Sequence, residues 1–123
     1  ALRIVQAVDM PNIGIALDSW HWARTRGTVA DVRALPAGCI KDCQLNDRPA
    51  DADAMPDSEQ FGRLVPGEGA LPLVELVRAV WGNAPGLPLN LEVFSHELQA
   101  MDPRDAAARL AAGMRAVIAR LPA

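Results

Sequence analysis

Three short segments of alternating hydrophobicity, each followed by a helical segment, constrain the fold of this chain most. Residues 12–18, 39–46 and 89–94 alternate apolar and polar side chains, as strands do. Helices are predicted over residues 1–8, 29–35, 71–81 and 103–121, and residues 19–28 are expected to form a polar loop. Strands that alternate with helices predict right-handed βαβ units and a parallel sheet.

Composition narrows the class of protein. Half of the 123 residues are hydrophobic and 22% are charged, which is typical of a soluble globular domain. The apolar runs are far shorter than the roughly 18 residues of a membrane span, and no signal-peptide pattern opens the sequence. The net charge of −3 disfavours nonspecific binding to nucleic acid. We therefore expect neither a membrane nor a nucleic acid as partner.

Cys39 and Cys43 are the only cysteines. Four residues apart on an extended strand they would lie about 13 Å apart, too far for a disulfide. We interpret them as small buried residues of a protein in a reducing compartment, the cytoplasm.

A polar residue lies at or near the end of each predicted strand, on the face opposite the branched apolar residues: Asp18, Gln44 and Glu92. Sites in parallel α/β folds form at the carboxyl ends of strands, so these side chains are expected to converge. Two carboxylates and an amide oxygen suit Mg²⁺ or Mn²⁺. The alternative is that Asp18 and Glu92 merely cap the turns that follow their strands.

Aromatic residues and histidines near these strand ends are further candidates. His21 follows Asp18 by three residues and is interpreted either as a proton shuttle or as a loop histidine bonded to the backbone. Trp20 and Trp22 flank it and form either an apolar wall for a ligand or ordinary packing. His96 is expected at the surface or at the start of a helix, and Trp81 in the core.

The segment of residues 47–70 is long for a connection inside a compact domain and is therefore expected to be functional or disordered. Arg63 opens a run with the turn sequence Pro-Gly-Glu-Gly and is a candidate for binding a substrate hydroxyl, carboxylate or phosphate. Arg48 is a weaker candidate of the same kind. The acidic residues of this segment lack the spacing of a calcium loop and are interpreted as solvated: Asp51, Asp53 and Asp57.

Four motifs in order resemble the sugar phosphate isomerase/epimerase family of the xylose isomerase-like TIM-barrel superfamily. They are Asp18-Ser19-Trp20-His21, Gln44-Leu45-Asn46-Asp47, the run from Arg63 to Gly69, and Leu91-Glu92-Val93. The resemblance covers nearly the whole chain. It implies a partial (β/α)₈ TIM barrel: residues 1–123 would be its C-terminal part, with roughly the last three βα units, and the N-terminal half of the barrel would be missing.

The resemblance also implies roles. Asp18, Gln44 and Glu92 match three ligands of one divalent metal, and the fourth, a glutamate on the fifth strand, lies outside this sequence. His21 and Arg63 match residues that bind the substrate. Glu92 matches one of two glutamates that exchange the substrate proton through an enediolate, so Glu92 and His21 are the predicted catalytic residues.

Three functions follow as expectations. The first is a metal-dependent isomerase or epimerase of a sugar, sugar phosphate or related polyol. The second is a dehydratase, because Gln44 stands where many epimerases carry histidine and so resembles the 3-dehydroshikimate dehydratases. The third is an inactive fragment or interaction module, since a three-strand slice leaves open edges that invite pairing with another chain, including a second copy. We expect weak or no activity from this chain alone. Endonuclease IV of the same superfamily is disfavoured, because its Asp-x-His motif is absent from residues 60–69.

Overall fold

The computed structural model describes residues 1–51 and 61–121. The elements, in chain order, are α1 (Leu2–Val8), β1 (Ile15–Asp18), α2 (Ser19–Arg24), α3 (Val29–Arg33), β2 (Ile40–Leu45), α4 (Leu73–Asn83), β3 (Leu89–Leu91), α5 (His96–Ala100) and α6 (Pro103–Ile118). In this described part no helix is both long and apolar enough to cross a bilayer.

The strands form one parallel sheet in the order β1-β2-β3. Consecutive parallel strands joined by helices make up the predicted α/β fold with its βαβ units, and the succession is that of a slice of a TIM barrel. The carboxyl ends of the strands consequently lie at one edge of the sheet.

Helices α3, α4 and α6 cover one face of this sheet. The buried core comprises Leu17, Val32, Ile40, Cys43, Leu45, Leu73, Val74, Leu76, Val77, Ala79, Val80, Met114 and Val117. The opposite face carries small and polar side chains: Ala16 and Asn90 are exposed, and Gln44 is half-buried. Among the described residues, the sheet therefore has one packed face and one largely uncovered face, called the bare face below.

The strands are shorter than predicted, and the alternation predicted for β2 is wrong at its start. Ile15 pairs with Ile40, but Ala16 pairs with Asp42, so the register shifts by one residue at Lys41. This irregularity lets Ile40 be buried together with Cys43 and Leu45, whereas Lys41 is exposed. A bulge of this kind exchanges the two faces of a strand, and the apolar pattern alone does not reveal it.

The loop predicted for residues 19–28 is wrong in its first half, because Ser19–Arg24 is helical. Asp18 is the N-cap, and its Oδ1 accepts a hydrogen bond of 2.9 Å from the backbone N–H of His21. A cap of this kind satisfies a free donor of the first turn and stabilises even a short helix. The short helix α5 begins at His96, which is exposed, so the expectation of a surface position or a helix start is confirmed, although the extent of this helix was not predicted.

The described part of the long 47–70 segment is ordered by two antiparallel bridges, Asp47 with Leu64 and Gly62 with Ser95. Asp51 is exposed, whereas the candidates Asp53 and Asp57 lie outside the described residues. Trp81 is half-buried beside the core, and its indole N–H donates to the carbonyl of Leu87 at 2.9 Å.

Candidate active site

The sheet places the three predicted strand-end residues on its bare face. Asp18 and Gln44 are direct partners across β1 and β2, and Gln44 is the partner of Asn90 in β3. Glu92 follows Asn90 by two residues, and its backbone N–H still donates to the carbonyl of Leu45 at 3.2 Å. Because strand side chains alternate with a period of two, all three predicted ligands share one face.

Arg63 joins the two carboxylates. Its NH1 lies 3.0 Å from Asp18 Oδ2 and 3.1 Å from Glu92 Oε2, and it also donates to the Glu92 carbonyl at 3.2 Å. Arg63 is 1% exposed, whereas the Glu92 side chain is 37% exposed. A buried guanidinium between two carboxylates offsets the repulsion that would otherwise separate them.

Aromatic rings surround the guanidinium of Arg63. Its Cζ lies 5.7 Å from the centroid of Trp20 and 5.0 Å from that of Phe94, within cation–π range. Phe61 contacts Phe94 edge-on and stacks on His96, with centroid distances of 5.7 Å and 4.7 Å. Trp20 is thus buried beneath Arg63, and the substrate-binding roles inferred for both residues stay predictions.

The other predicted residues lie around this cluster. His21 is exposed, and its Nε2 lies 3.5 Å from Arg63 NH2. The side chain of Gln44 makes no hydrogen bond with the described residues. Trp22 is half-buried, and its indole N–H finds no acceptor among the described residues. Arg48 is half-buried, with its backbone N–H bonded to Asp47 Oδ1 at 2.9 Å.

Sequence reasoning gave no role to Asp47, which is 1% exposed. Its carboxylate accepts backbone hydrogen bonds from Arg48, Gly67, Gly69 and Leu71, at 2.9, 3.0, 3.1 and 2.9 Å. The available signal was an acidic residue directly after a predicted strand, twenty residues before the Gly-x-Gly of the turn sequence. Asp47 fixes the Pro-Gly-Glu-Gly run that follows Arg63.

Arg109 of α6 binds the same Pro-Gly-Glu-Gly run through Glu68, on the solvent-exposed side. Its Nε and NH2 bind both oxygens of Glu68 at 3.0 and 2.7 Å, and its NH1 binds Glu97 at 2.6 Å. These carboxylates raise the pKa of the guanidinium further above its ordinary value. The cluster is exposed, so its contribution to stability is small.

The donors at the strand ends fit part of a divalent cation's shell. Within residues 1–51 and 61–121, Asp18 Oδ1 accepts only the His21 amide, which leaves one lone pair, and no donor reaches Glu92 Oε1. In these ranges no three His, Cys, Asp or Glu side chains are placed to hold a metal, so the Gln44 amide is needed as third donor. All three donors are oxygens, which hard cations prefer.

Charge counting indicates what the shell lacks. Asp18 and Glu92 carry two negative charges and Arg63 carries one positive charge, which leaves −1 at the strand ends. A bound divalent ion would change the net charge of this partly buried group of residues from −1 to +1. One more carboxylate would restore neutrality, so these residues alone are expected to bind such an ion weakly.

Cys43 is close to the strand ends but is no candidate ligand. Burial raises the pKa of its thiol to about 12, and the charges of Asp42 and Asp18 add to that shift. A metal-binding or nucleophilic cysteine needs the thiolate form. Cys43 therefore acts as a small core residue, as the sequence predicted.

The raised pKa of Cys43 predicts alkaline destabilisation. Between pH 9 and 12 the unfolded chain loses the thiol proton while the folded chain keeps it, so the free energy of unfolding falls as pH rises. The chain has no tyrosine and one lysine, so few other groups titrate there. Urea unfolding from pH 8 to 11 should show a shallower decline for Cys43→Ala than for Cys39→Ala. Equal slopes in the two variants would contradict this prediction.

Comparison with known proteins identifies the family. Residues 1–117 match the family described as xylose isomerase-like TIM barrel, and the chain belongs to it. Two curated relatives are 3-dehydroshikimate dehydratases. The one from Pseudomonas putida is 30% identical over 107 residues, and the one from Pseudomonas aeruginosa is 32% identical over 105. The aligned residues make up 86% and 85% of this chain but only 17% and 16% of those proteins.

Solved structures confirm the partial-barrel fold. The IolI protein, whose crystal structure holds a zinc atom, superposes with a TM-score of 0.88 at 19% identity, over 99% of this chain and 43% of its own. A xylose isomerase domain protein from Alicyclobacillus acidocaldarius gives a TM-score of 0.77 at 26% identity, over 95% of this chain and 41% of its own.

Proposed function

We propose that residues 1–123 are the C-terminal part of a xylose isomerase-like barrel and contribute Asp18, Gln44 and Glu92 to a divalent-metal site. The observation that carries this proposal is the pairing of the Asp18 and Glu92 carboxylates with one Arg63 nitrogen, on the face where Gln44 is the register partner of Asp18. The bare face of the sheet supports the same view, because a barrel would cover it.

The proposed reaction begins with removal of a proton from a carbon next to a carbonyl. The bound ion, Mg²⁺, Mn²⁺ or another divalent cation, would polarise that carbonyl. Glu92 is the base: Arg63 holds its Oε2, while no donor in the described part of the chain binds its Oε1, and the side chain is partly exposed. His21, exposed beside Arg63, is suited to hydrogen-bond a substrate hydroxyl or to return a proton.

Dehydration is the outcome that the relatives favour. Both curated relatives are 3-dehydroshikimate dehydratases. By the resemblance given above, a glutamine at the position of Gln44 is typical of such dehydratases, whereas many epimerases have a histidine there. In that reaction Glu92 takes the proton at one carbon, and the hydroxyl at the next carbon leaves as water with a proton from His21. The substrate would be a small cyclic hydroxy-ketone such as 3-dehydroshikimate, bound in a cytoplasmic enzyme.

Isomerisation or epimerisation of a sugar, sugar phosphate or polyol is the second candidate. The 26% identity to a xylose isomerase domain protein favours it. The first step is the same, but the proton returns to carbon and no water leaves. Solvent deuterium entering the recovered substrate without loss of water identifies this outcome, whereas the absorbance of an unsaturated product identifies dehydration.

Glu92→Gln tests the base. Two chimeric proteins are compared, in which the matching segment of the Pseudomonas putida dehydratase is replaced by this chain, either unsubstituted or carrying Glu92→Gln. The dehydratase supplies the rest of the barrel. We expect the variant to lose both dehydration and deuterium exchange by about 10²–10⁴-fold. Glu75→Gln changes an exposed glutamate of α4 and is the control. Exchange retained in Glu92→Gln would refute the role of Glu92.

A further inference from the structure

Asn46 lies where the ends of all three strands meet and is fully buried. It follows the last residue of β2, and its Nδ2 donates to Asp18 Oδ2 and to the backbone carbonyl of Glu92, both at 3.1 Å. One side-chain amide thus reaches from the middle strand to both neighbours. Two of the proposed ligand residues are tied to it directly.

Ser19 anchors Asn46 at the end of β2. Its hydroxyl lies 2.9 Å from Asn46 Oδ1 and 2.7 Å from the Asn46 carbonyl, and it accepts the Asn46 backbone N–H at 2.9 Å. Ser19 has no exposed surface. A flipped amide would turn its oxygen toward the Asp18 carboxylate, which offers no proton in its ionised form. Asp18 and the Glu92 carbonyl, which can only accept, therefore keep the NH₂ group directed at them, while the Ser19 hydroxyl holds Asn46 in place.

We propose that Asn46, anchored by Ser19, is a positioning residue that determines which oxygen of Asp18 is left for a cation. Asn46 and Arg63 occupy the two lone pairs of Asp18 Oδ2. Among the residues that the structure describes, Oδ1 accepts only the His21 amide and so keeps one lone pair. Asp18 then presents a single oxygen in a fixed direction, which lowers the ordering cost of binding. The inference rests on the proposed metal site.

The test compares two buried asparagines at opposite ends of β2. Mn²⁺ is titrated into the full chain, and its dissociation constant is measured from the paramagnetic resonance of the free ion. Asn46→Ala should raise that constant by about 10–100-fold, the usual effect of removing a group that orients a ligand. Ser19→Ala should raise it as well, to a smaller extent, and should add little to Asn46→Ala because both act through one contact.

Asn83→Ala is the matched control. Asn83 is buried, accepts from the Ile40 amide at 3.2 Å and donates to the carbonyls of Leu35 and Pro36 at 3.1 and 2.8 Å, at the start of β2. Its loss should lower the melting temperature but leave the Mn²⁺ dissociation constant unchanged. The visible bands of bound Co²⁺ should change in Asn46→Ala and not in Asn83→Ala, because they report on coordination geometry.

Two results would overturn the inference in distinguishable ways. If Asp18→Asn weakens Mn²⁺ binding but Asn46→Ala and Ser19→Ala do not, the metal site stands and the positioning role is wrong. If Asp18→Asn leaves Mn²⁺ binding unchanged, the metal site itself is wrong and the positioning role falls with it.

Discussion

Replacing Arg63 by methionine is expected to lower the free energy of unfolding by about 3–5 kcal/mol, the usual cost of removing one partner from a buried ion pair. The guanidinium is 1% exposed and binds Asp18, whose side chain is 8% exposed, at 3.0 Å. Methionine keeps most of the apolar stem between Trp20 and Phe94 but leaves the Asp18 charge without its counter-ion. The measurement is urea unfolding at pH 7.

Arg109→Met is the matched control, because Arg109 also joins two carboxylates but lies at the surface. Its partners Glu68 and Glu97 are exposed, and water screens exposed pairs, so this substitution should cost far less stability than Arg63→Met. Mn²⁺ provides a second comparison. Without Arg63 the strand ends carry −2 instead of −1, so Mn²⁺ should stabilise Arg63→Met more than it stabilises the unsubstituted chain. Equal losses in the two arginine variants would contradict the buried-pair argument.

The sheet and its polar edge could be predicted because both depend on local, periodic signals. Alternation located the three strands, and the rule that parallel strands end at one edge brought Asp18, Gln44 and Glu92 to one face. These inferences need only sequence spacing and a known topology. They do not need the identity of any contact between distant residues.

The features that the sequence did not reveal depend on individual contacts between residues that are far apart in the sequence. The pairing of Arg63 with Asp18 joins residues 45 positions apart, and nothing in the spacing predicts it. Asn46 likewise gains its proposed role from a contact with Asp18, which is 28 positions away. The register shift at Lys41 comes from packing between strands and leaves no local signal. The helix after Asp18, by contrast, had a local signal in its capping residue.

Asp47→Ala is expected to be the most destabilising of the substitutions considered, at about 4 kcal/mol or more. Its carboxylate receives four backbone N–H groups, and each buried donor left without an acceptor costs about 1–3 kcal/mol, although the losses do not add fully. The methyl group of alanine cannot accept a hydrogen bond from any of these four N–H groups. The expected fall in melting temperature is about 15 °C or more for a chain of this length.

Two further variants distinguish the role of Asp47 from that of an ordinary helix N-cap. Asp102→Ala removes the exposed N-cap of α6, which accepts one hydrogen bond of 2.8 Å, and should cost about 1 kcal/mol. Asp47→Asn keeps one acceptor oxygen and should lie between the two alanine variants. Amide exchange at Gly67 and Gly69 should accelerate in Asp47→Ala, since these N–H groups lose their acceptor. If Asp47→Ala is no less stable than Asp102→Ala, the run after Arg63 is held by something other than this carboxylate.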